Sequence, residues 1–218
     1  MKVSFGILCH DEDESLRTLL QNIVDKHGDY DYEIVIVYDP PEVENYGTTL
    51  ILGEFQENYE FTKVFEHHLN DDYATQKNFM TEKCSGDWII NPDADELLPE
   101  YLLHNFQLIA EQNNVDLIWV PRVNIVTGLT QEWVAKWHWD VNDHGWVNWP
   151  DYQARIYKKD YPKLHWENKV HEKVVGYERY TMLPSKIEYA EFVALKHIKS
   201  IERQINQNKH YEEIIKEN

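Results

Sequence analysis

The sequence predicts an α/β fold in which a Rossmann-like, mostly parallel sheet is flanked by helices and followed by a smaller irregular or antiparallel region. Short apolar, β-prone runs alternate with helical patterns over residues 1–125, as in sheets with crossover helices. Acidic residues directly follow several predicted strands, and tryptophans become frequent after Val126. Ligands of such sheets bind beyond the carboxyl ends of the strands, so these acids mark a candidate site.

The amino-terminal elements alternate in the order that a parallel sheet needs. Strands are expected at residues 3–9, 33–38, 62–67, near Trp88 and at 116–126, and helices at 16–24, 48–59, 73–83 and 99–112. Residues 33–38 are nearly all apolar, as in a strand covered on both faces. Asp11 or Asp13 is the expected cap of the first helix. Asp71 or Asp72 is the expected cap of the 73–83 helix.

The carboxyl-terminal half is less regular. Residues 133–149 contain five tryptophans with interleaved histidine and acidic residues and only weak periodicity. Strands are expected at residues 152–157 and 169–175. A helix is expected over residues 200–218, with Ile201, Ile205 and Ile215 forming a narrow apolar stripe.

The composition is that of a folded globular protein. The 218 residues are 42% apolar and 13% aromatic, which fits one domain rather than a disordered chain. A formal net charge of −18 and a pI near 4.9 disfavour a nucleic-acid partner, because phosphate backbones are bound by basic patches. An acidic protein that binds a phosphorylated ligand would need a metal ion to offset the repulsion.

The cysteines and the hydropathy pattern indicate the compartment. Cys9 and Cys84 are far apart and lack metal-type spacing, so we expect reduced, mostly buried thiols. Met1 and Lys2 lead directly into a strand, which leaves no room for a signal peptide. No apolar stretch approaches the ~20 residues that cross a bilayer. We therefore expect a cytoplasmic protein without a transmembrane segment.

Residues 88–96, WIINPDADE, combine the end of a buried strand with two closely spaced carboxylates. Along an extended chain, Asp93 and Asp95 would point to the same side and Ala94 away from them. Such carboxylates repel each other unless a cation lies between them. A divalent metal ion satisfies them, and its free positions can hold a diphosphate. The alternative is a polar turn before the helix that starts near Pro99.

Other polar residues near strand and helix ends would complete a nucleotide site. Asp11 and Asp39 follow the first two strands, where carboxylates can accept hydrogen bonds from ribose hydroxyls and a uracil N–H. A helix cap and a turn residue are their respective alternatives. Lys77, on the helix that leads to the Trp88 strand, could reach a phosphate oxygen; the alternative is an ordinary exposed helical lysine, which is the more common case.

These segments resemble glycosyltransferase family 2, whose members have the GT-A fold. The resemblance lies in DYATQKNF (72–79), SGDWIINPDADE (85–96), VSFGILCHDE (3–12) and EIVIVYD (33–39). It covers roughly residues 3–100, and the order and spacing of the segments agree with the family. Tyr38 occupies the place of the first of two usual acids, so the uracil or ribose contact depends on Asp39. Pro40 and Pro41 replace the usual Gly-Ser.

The resemblance implies a function for the whole chain. Residues 1–125 would form a nucleotide-sugar-binding half, 126–199 an acceptor-binding half and 200–218 a C-terminal helix, all in one GT-A domain. Asp93, Ala94 and Asp95 would form the donor-binding segment, with Mn²⁺ or Mg²⁺ held by Asp95 and with help from Asp93. The partners would be a UDP-sugar donor and a carbohydrate or other hydroxyl acceptor.

The carboxyl half offers candidates for a base and for further ligands. YQARIY (152–157) followed by HWENKVHE (165–172) resembles a Val-His-Glu segment of bacterial members. Deprotonation of an acceptor hydroxyl needs a base, and Glu172 and His171 are the candidates. Asp140 and Asp143 are rival candidates. The alternative for His171 and Glu172 is a structural hydrogen-bonded pair. In several GT-A enzymes a late histidine completes the metal shell, so His197 is a candidate ligand. Lys199 would meet the diphosphate.

The tryptophan-rich segment has two interpretations. Trp133, Trp137, Trp139, Trp146 and Trp149 could line an acceptor pocket, since indole faces stack on sugars, or fill the core under irregular backbone. We expect both.

The sequence therefore predicts a metal-dependent glycosyltransferase, and the family resemblance implies inversion at the anomeric carbon. A sugar-binding GT-A-like protein without turnover is the alternative. A sugar-phosphate nucleotidyltransferase is disfavoured, because the turn after the first strand has neither glycine nor positive charge.

Overall fold

The computed structural model describes residues 1–41 and 46–216. Its strands are β1 (Lys2–Cys9), β2 (Asp31–Tyr38), β3 (Thr62–Glu66), β4 (Trp88–Ile90), β5 (Glu96–Leu97), β6 (Leu117–Val120), β7 (Arg122–Thr127), β8 (Gln153–Lys158), β9 (His165–Glu167), β10 (Lys173–Val175), β11 (Tyr180–Met182) and β12 (Leu195–Ser200). Its helices are α1 (Asp13–Lys26), α2 (Tyr46–Asn58), α3 (Tyr73–Lys83), α4 (Glu100–Gln112), α5 (Gln131–Trp137), α6 (Ala190–Val193) and α7 (Ile201–Lys216). Residues 217 and 218 of the predicted terminal helix lie outside the described residues.

The central sheet confirms the predicted α/β class. Within the described ranges it has the order β11-β6-β8-β4-β1-β2-β3. The pairs β1–β2, β2–β3, β1–β4 and β6–β11 are parallel, whereas β8 runs antiparallel to both β4 and β6. The carboxyl ends of β1, β2 and β4 therefore meet at one edge, which is where the sequence places Asp11, Asp39 and Asp93.

Helices cover both faces of this sheet, which explains why β2 is almost entirely apolar. Ile34 and Ile36 pack into the core that α1 and α4 close. Val35 and Val37 point to the other face and pack with Met80 of α3. The alternation of a strand supplies both cores at once. As expected, Cys9 and Cys84 are free thiols and both are buried.

A second, smaller sheet forms the floor beside that edge. Its order is β5-β12-β7, with β12 antiparallel to β5 and parallel to β7. His197 of β12 is in register with Glu96 of β5 and Asn124 of β7. This sheet joins the carboxylate segment to the carboxyl-terminal half.

Three predicted elements differ from the structure. The strand expected over residues 116–126 is two strands in two sheets, divided at Pro121, which has no N–H for a ladder. The strand expected over 169–175 is shortened to β10, because Asn168 and His171 adopt positive φ at the tip of the β9–β10 hairpin. In α7, Ile214 is buried and Ile215 exposed.

Of the two helix-cap predictions, the one for α3 is confirmed and the one for α1 is wrong. Asp72 caps α3 by accepting a hydrogen bond from the Thr75 N–H at 2.9 Å. Neither Asp11 nor Asp13 is the N-cap of α1, because Glu12 occupies that position.

Candidate active site

The predicted site residues line one cavity at the meeting point of the two sheets, the β9–β10 hairpin and α7. Its volume is about 900 Å³. Every candidate from the sequence borders it: Asp11, Asp39, Lys77, Asp93, Ala94, Asp95, His171, Glu172, His197 and Lys199. The rival bases Asp140 and Asp143 are exposed and do not line it.

The amino-terminal wall presents Asp11 and Asp39. Asp11 is exposed, and Asp39 is held by neighbours on two sides. The Leu69 N–H donates to Asp39 Oδ1 at 3.2 Å. The Nδ1 atoms of His10 and His68 lie 3.3 and 3.5 Å from the Asp39 carboxylate. Asp39 is therefore a fixed acceptor at the end of β2.

The segment between β4 and β5 is a turn rather than the extended chain assumed in the sequence analysis. The Asp93 N–H donates to Glu96 Oε2 at 3.0 Å, and the Glu96 N–H donates to the Asp93 carbonyl at 2.9 Å. Because these two bonds fold the chain back, simple alternation does not set the directions of Asp93 and Asp95. Both carboxylates still reach the cavity, with different partners.

Asp93 belongs to a cluster of paired charges. Glu96 is fully buried and accepts hydrogen bonds from Arg122 Nη1 at 2.8 Å and from Arg155 Nη2 and Nε at 2.7 and 3.0 Å. The Arg155 guanidinium also contacts the Asp93 carboxylate. Burial alone would raise the pKa of Asp93, but Arg155, Lys77 and Arg122 outweigh it and hold that pKa well below its usual range. We call Asp93, Glu96, Arg122 and Arg155 the arginine cluster.

Asp95 faces a histidine instead. His197 Nε2 lies 3.2 Å from Asp95 Oδ2, and His197 Nδ1 lies 2.8 Å from Asn124 Oδ1. Asn124 donates through Nδ2 to Asp151 Oδ2 at 2.6 Å, so its Oδ1 is an acceptor and His197 donates from Nδ1. In a neutral ring, Nε2 is then also an acceptor. A protonated ring makes this contact an ion pair with Asp95, whereas a neutral ring leaves two acceptors facing each other across 3.2 Å.

That arrangement fits a divalent metal ion. Two facing acceptors are stable when a proton or a cation lies between them. Their separation is close to the ~3 Å between neighbouring ligand atoms around an octahedral ion with bonds of about 2.1 Å. A carboxylate with an imidazole suits Mn²⁺, and the Asn124 bond orients the ring as outer partners of metal ligands do. The described residues contain no group of three or more His, Cys, Asp or Glu placed to hold a metal, so a bound phosphate and water would supply the remaining ligands.

Cations from β12 and α7 border the same corner. Arg203 Nη2 lies 3.5 Å from Asp95 Oδ2 and 3.6 Å from Glu12 Oε1. Lys199 Nζ donates to Gln207 Oε1 at 3.1 Å. Burial lowers the pKa of Lys199 to about 8, against the opposing effect of Asp95. We call Asp95, His197, Lys199 and Arg203 the histidine corner.

The β9–β10 hairpin carries Glu172 and His171 to the opposite wall. Lys77 Nζ is 2.6 Å from Glu172 Oε1 and 4.0 Å from Asp93 Oδ1, and its side chain is only 3% exposed. Burial opposes ionisation of Glu172, but Lys77 outweighs it and lowers the pKa of Glu172. Lys77 is therefore already paired inside the protein. The His171 ring lies edge-on to Tyr211 of α7 at 5.6 Å.

Several cavity residues were not selected from the sequence. Arg122, Asn124 and Asp151 lie in segments with no recognisable motif, and only the tertiary structure places them beside the acids. The cavity face of α7 did carry a signal, because Arg203, Gln207 and Tyr211 recur at intervals of four and all three line the cavity. Polar residues at that spacing form one helix face.

The comparisons with known proteins agree with this geometry. The sequence model of glycosyl transferase family 2 matches residues 4–169. No curated protein matches the chain significantly. No helix in the described parts of the chain is long and apolar enough to cross a membrane.

Solved structures of S. aureus TarS have the same fold. TarS 1–349 is 13% identical, with a TM-score of 0.62, and the match covers 91% of this chain and 60% of that one. TarS 1–349 in complex with UDP-GlcNAc is 13% identical, with a TM-score of 0.61, and the match covers 91% of this chain and 59% of that one. This chain therefore spans about three fifths of TarS 1–349. Because the family model matches most of the sequence and the architecture is that of GT-A structures, the chain belongs to glycosyl transferase family 2.

Proposed function

We propose that this chain is a metal-dependent glycosyltransferase that moves a sugar from a UDP-sugar to an acceptor hydroxyl with inversion. The observation that carries the proposal is the pair Asp95 and His197, whose Oδ2 and Nε2 atoms lie 3.2 Å apart in the cavity lining, where one metal ion could bind both. A divalent metal ion held there would offset the negative charge that develops on the departing diphosphate.

The donor half extends over residues 1–125. Asp39 and Asp11 line the cavity and would supply acceptors for uracil or ribose, and Lys199 and Arg203 line it near Asp95 and would contact the diphosphate. The similarity to TarS supports a uridine nucleotide, because one TarS structure contains UDP-GlcNAc. Lys77, ion-paired with Glu172, reaches the phosphates only if that pair opens.

The transfer itself is a single displacement. The acceptor oxygen forms a bond to the anomeric carbon while the bond from that carbon to the β-phosphate oxygen breaks, and UDP leaves with the electron pair. The acceptor proton passes to a base. Glu172 is the first candidate because Lys77 holds it as a carboxylate at the cavity wall. His171, exposed at the hairpin tip, is the second.

The central experiment compares Asp95→Asn with Asp140→Asn, a change at an exposed acid outside the cavity. Calorimetry with UDP, with and without Mn²⁺, measures donor binding, and UDP release from a panel of UDP- and GDP-sugars measures turnover. We expect Asp95→Asn to lose Mn²⁺-dependent UDP binding and turnover, while Asp140→Asn keeps both. Turnover by Asp95→Asn at the wild-type rate would contradict the metal site.

The base is tested separately with Glu172→Gln and His171→Gln. Loss of a general base lowers kcat by about 10²–10⁴-fold, so we expect this for Glu172→Gln with UDP affinity little changed. A larger fall in kcat for His171→Gln would transfer the role to the histidine. Sugar binding by the wild-type protein without any Mn²⁺-dependent UDP binding would favour a binding protein without turnover.

A further inference from the structure

The five tryptophans of residues 133–149 divide into two groups with different surroundings. Trp146 and Trp149 pack together at 5.0 Å and against a small core that contains Val123, Ala190 and Ala194. The other three form a row that packs on a separate cluster. Of the five, Trp139 alone lines the cavity. The sequence alone did not separate them.

The row holds Trp139 in place. Trp133 and Trp137 have ring centroids 4.6 Å apart, and Trp137 and Trp139 have centroids 4.7 Å apart. Beneath them lie the buried side chains of Val126 and Val147. An indole supported by a neighbouring ring and a packed apolar floor keeps its orientation without a ligand, which lowers the entropic cost of stacking another molecule on it.

The strand order locates Trp139 relative to the histidine corner. Asp95 precedes β5, His197 lies on β12, and Asn124 on β7 is paired with both His197 and Val147. Trp139 packs in the cluster that contains Val147. Across the cavity floor the order is therefore Asp95, His197, Asn124, Val147 and Trp139. In strand order, β12 and β7 therefore separate Trp139 from Asp95.

Polar groups suited to hydroxyls accompany the ring. Asn148, Asp151 and Gln153 line the same part of the cavity wall. Asn148 Oδ1 accepts a hydrogen bond from the Asp140 N–H at 3.0 Å. This bond does not involve the Nδ2 group of Asn148. Gln153 Nε2 donates to Asp151 Oδ1 at 3.0 Å. Amides and a carboxylate beside an aromatic ring are the groups that recognise the hydroxyls and C–H faces of a sugar.

The charges disfavour an anionic ligand at this end. The described cavity lining contains eight carboxylates against five Lys and Arg side chains. Arg122 borders this end, and it already contacts Asp151 at 2.7 Å and Glu96 at 2.8 Å. Arg155 is likewise bound to Glu96 and Asp93. If either arginine turned to a phosphate or a uronic acid, the buried Glu96 would lose one of its two guanidinium partners.

We infer that Trp139 is the stacking platform of an acceptor subsite for an uncharged pyranose. This inference deepens the proposed function and rests on it. It assigns the acceptor class: a neutral sugar or glycoside rather than a polyanionic chain or a non-carbohydrate alcohol.

The experiment compares Trp139→Leu with Trp146→Leu, which removes an indole of the same segment from outside the cavity. Acceptors are uncharged methyl hexopyranosides, methyl glucuronide as the charged counterpart, and a simple alcohol. For Trp139→Leu we expect the KM for the best methyl hexopyranoside to rise about tenfold, with donor hydrolysis in the absence of acceptor within twofold of wild type. Trp146→Leu should leave that KM unchanged, and Trp139→Phe should be intermediate. Thermal melts of all variants report folding.

Each outcome decides the inference. An unchanged KM in folded Trp139→Leu, an equal loss in Trp146→Leu, or a preference for methyl glucuronide would overturn it. A fall in acceptor-free donor hydrolysis would assign Trp139 to the donor sugar and also overturn it. If the wild type neither binds UDP nor releases UDP from a UDP-sugar, the proposed function fails instead. Calorimetry then measures the binding of methyl hexopyranosides to the wild type and to Trp139→Leu, and weaker binding by the variant would still support the sugar subsite.

Discussion

The arginine cluster and the histidine corner begin from two aspartates of the same turn and are built in opposite ways. In the arginine cluster, Asp93 and Glu96 are bound by Arg122 and Arg155, so the carboxylates and guanidinium groups neutralise one another within the protein. In the histidine corner, Asp95 faces a single imidazole nitrogen at 3.2 Å and an exposed arginine at 3.5 Å. The carboxylates of the first region have two guanidinium partners, whereas Asp95 in the second has one imidazole and one distant guanidinium group. Two acids of one short motif therefore have different surroundings: Asp93 is paired with arginine, and Asp95 is the acid that we propose to bind the metal.

Breaking the arginine cluster should have the largest effect. Arg155→Met leaves Glu96 buried with one guanidinium fewer, and the loss of one partner of a buried ion pair costs about 3–5 kcal/mol. We expect a fall of that size in the free energy of unfolding, measured by urea denaturation. The matched change Arg122→Met should be milder, because Arg122 donates fewer bonds to Glu96. A stable Arg155→Met protein would show that the cluster is not a scaffold.

Loosening the histidine corner should affect binding rather than folding. Asn124→Leu removes the acceptor that orients His197 through Nδ1, and the loss of such outer partners typically weakens metal sites about 10–100-fold. We expect a decrease of this size in the affinity for UDP measured with Mn²⁺ and little change without it. An equal decrease in both conditions would assign Asn124 to UDP or to the fold.

Glu33 shows how a satisfied buried carboxylate behaves on acidification. Burial opposes its charge, but hydrogen bonds from Lys63, Ser4 and Ser85 outweigh burial and lower the pKa of Glu33 to about 2. A depressed folded-state pKa stabilises the protein above the unfolded-state pKa of about 4.3, and this contribution is lost as the pH falls from there towards 2. Glu33→Gln should flatten the decrease in unfolding free energy between pH 5 and pH 2. A profile as steep as that of the wild type would contradict this account.

The smallest effect on stability is expected at the exposed end of the histidine corner. The Arg203 side chain is 43% exposed and more than 3.4 Å from both acids that it faces. Such pairs contribute about 0–1 kcal/mol, so Arg203→Gln should leave the unfolding free energy almost unchanged. A weaker affinity for UDP in the same variant, with a reduced dependence on salt, would support its position beside the diphosphate. A large loss of stability would place Arg203 in the scaffold.

Local patterns predicted the amino-terminal fold well. The β1, β2 and α3 elements follow from apolar runs, helical spacing and the Asp72 cap, because each depends on residues near it in sequence. The division of residues 116–126 at Pro121 was missed because the segments on both sides of the proline are equally β-prone and belong to different sheets. The prediction that Ile215 rather than Ile214 lies on the buried face of α7 was wrong for a similar reason. The two residues are adjacent in the helix, and tertiary packing decides which of them is buried.

The sequence by itself determined the family and selected the candidate residues of the site: the acids at strand ends, the Asp-Ala-Asp segment and the late histidine. Only the tertiary structure decided their partners. His197 meets Asp95 across 102 residues of sequence, Arg155 reaches Glu96 across 59, and Trp139 rather than its four neighbours borders the cavity. The reason is physical: local patterns depend on neighbouring residues, whereas the charge, hydrogen bonding and exposure of a site depend on which distant segments the sheets bring together.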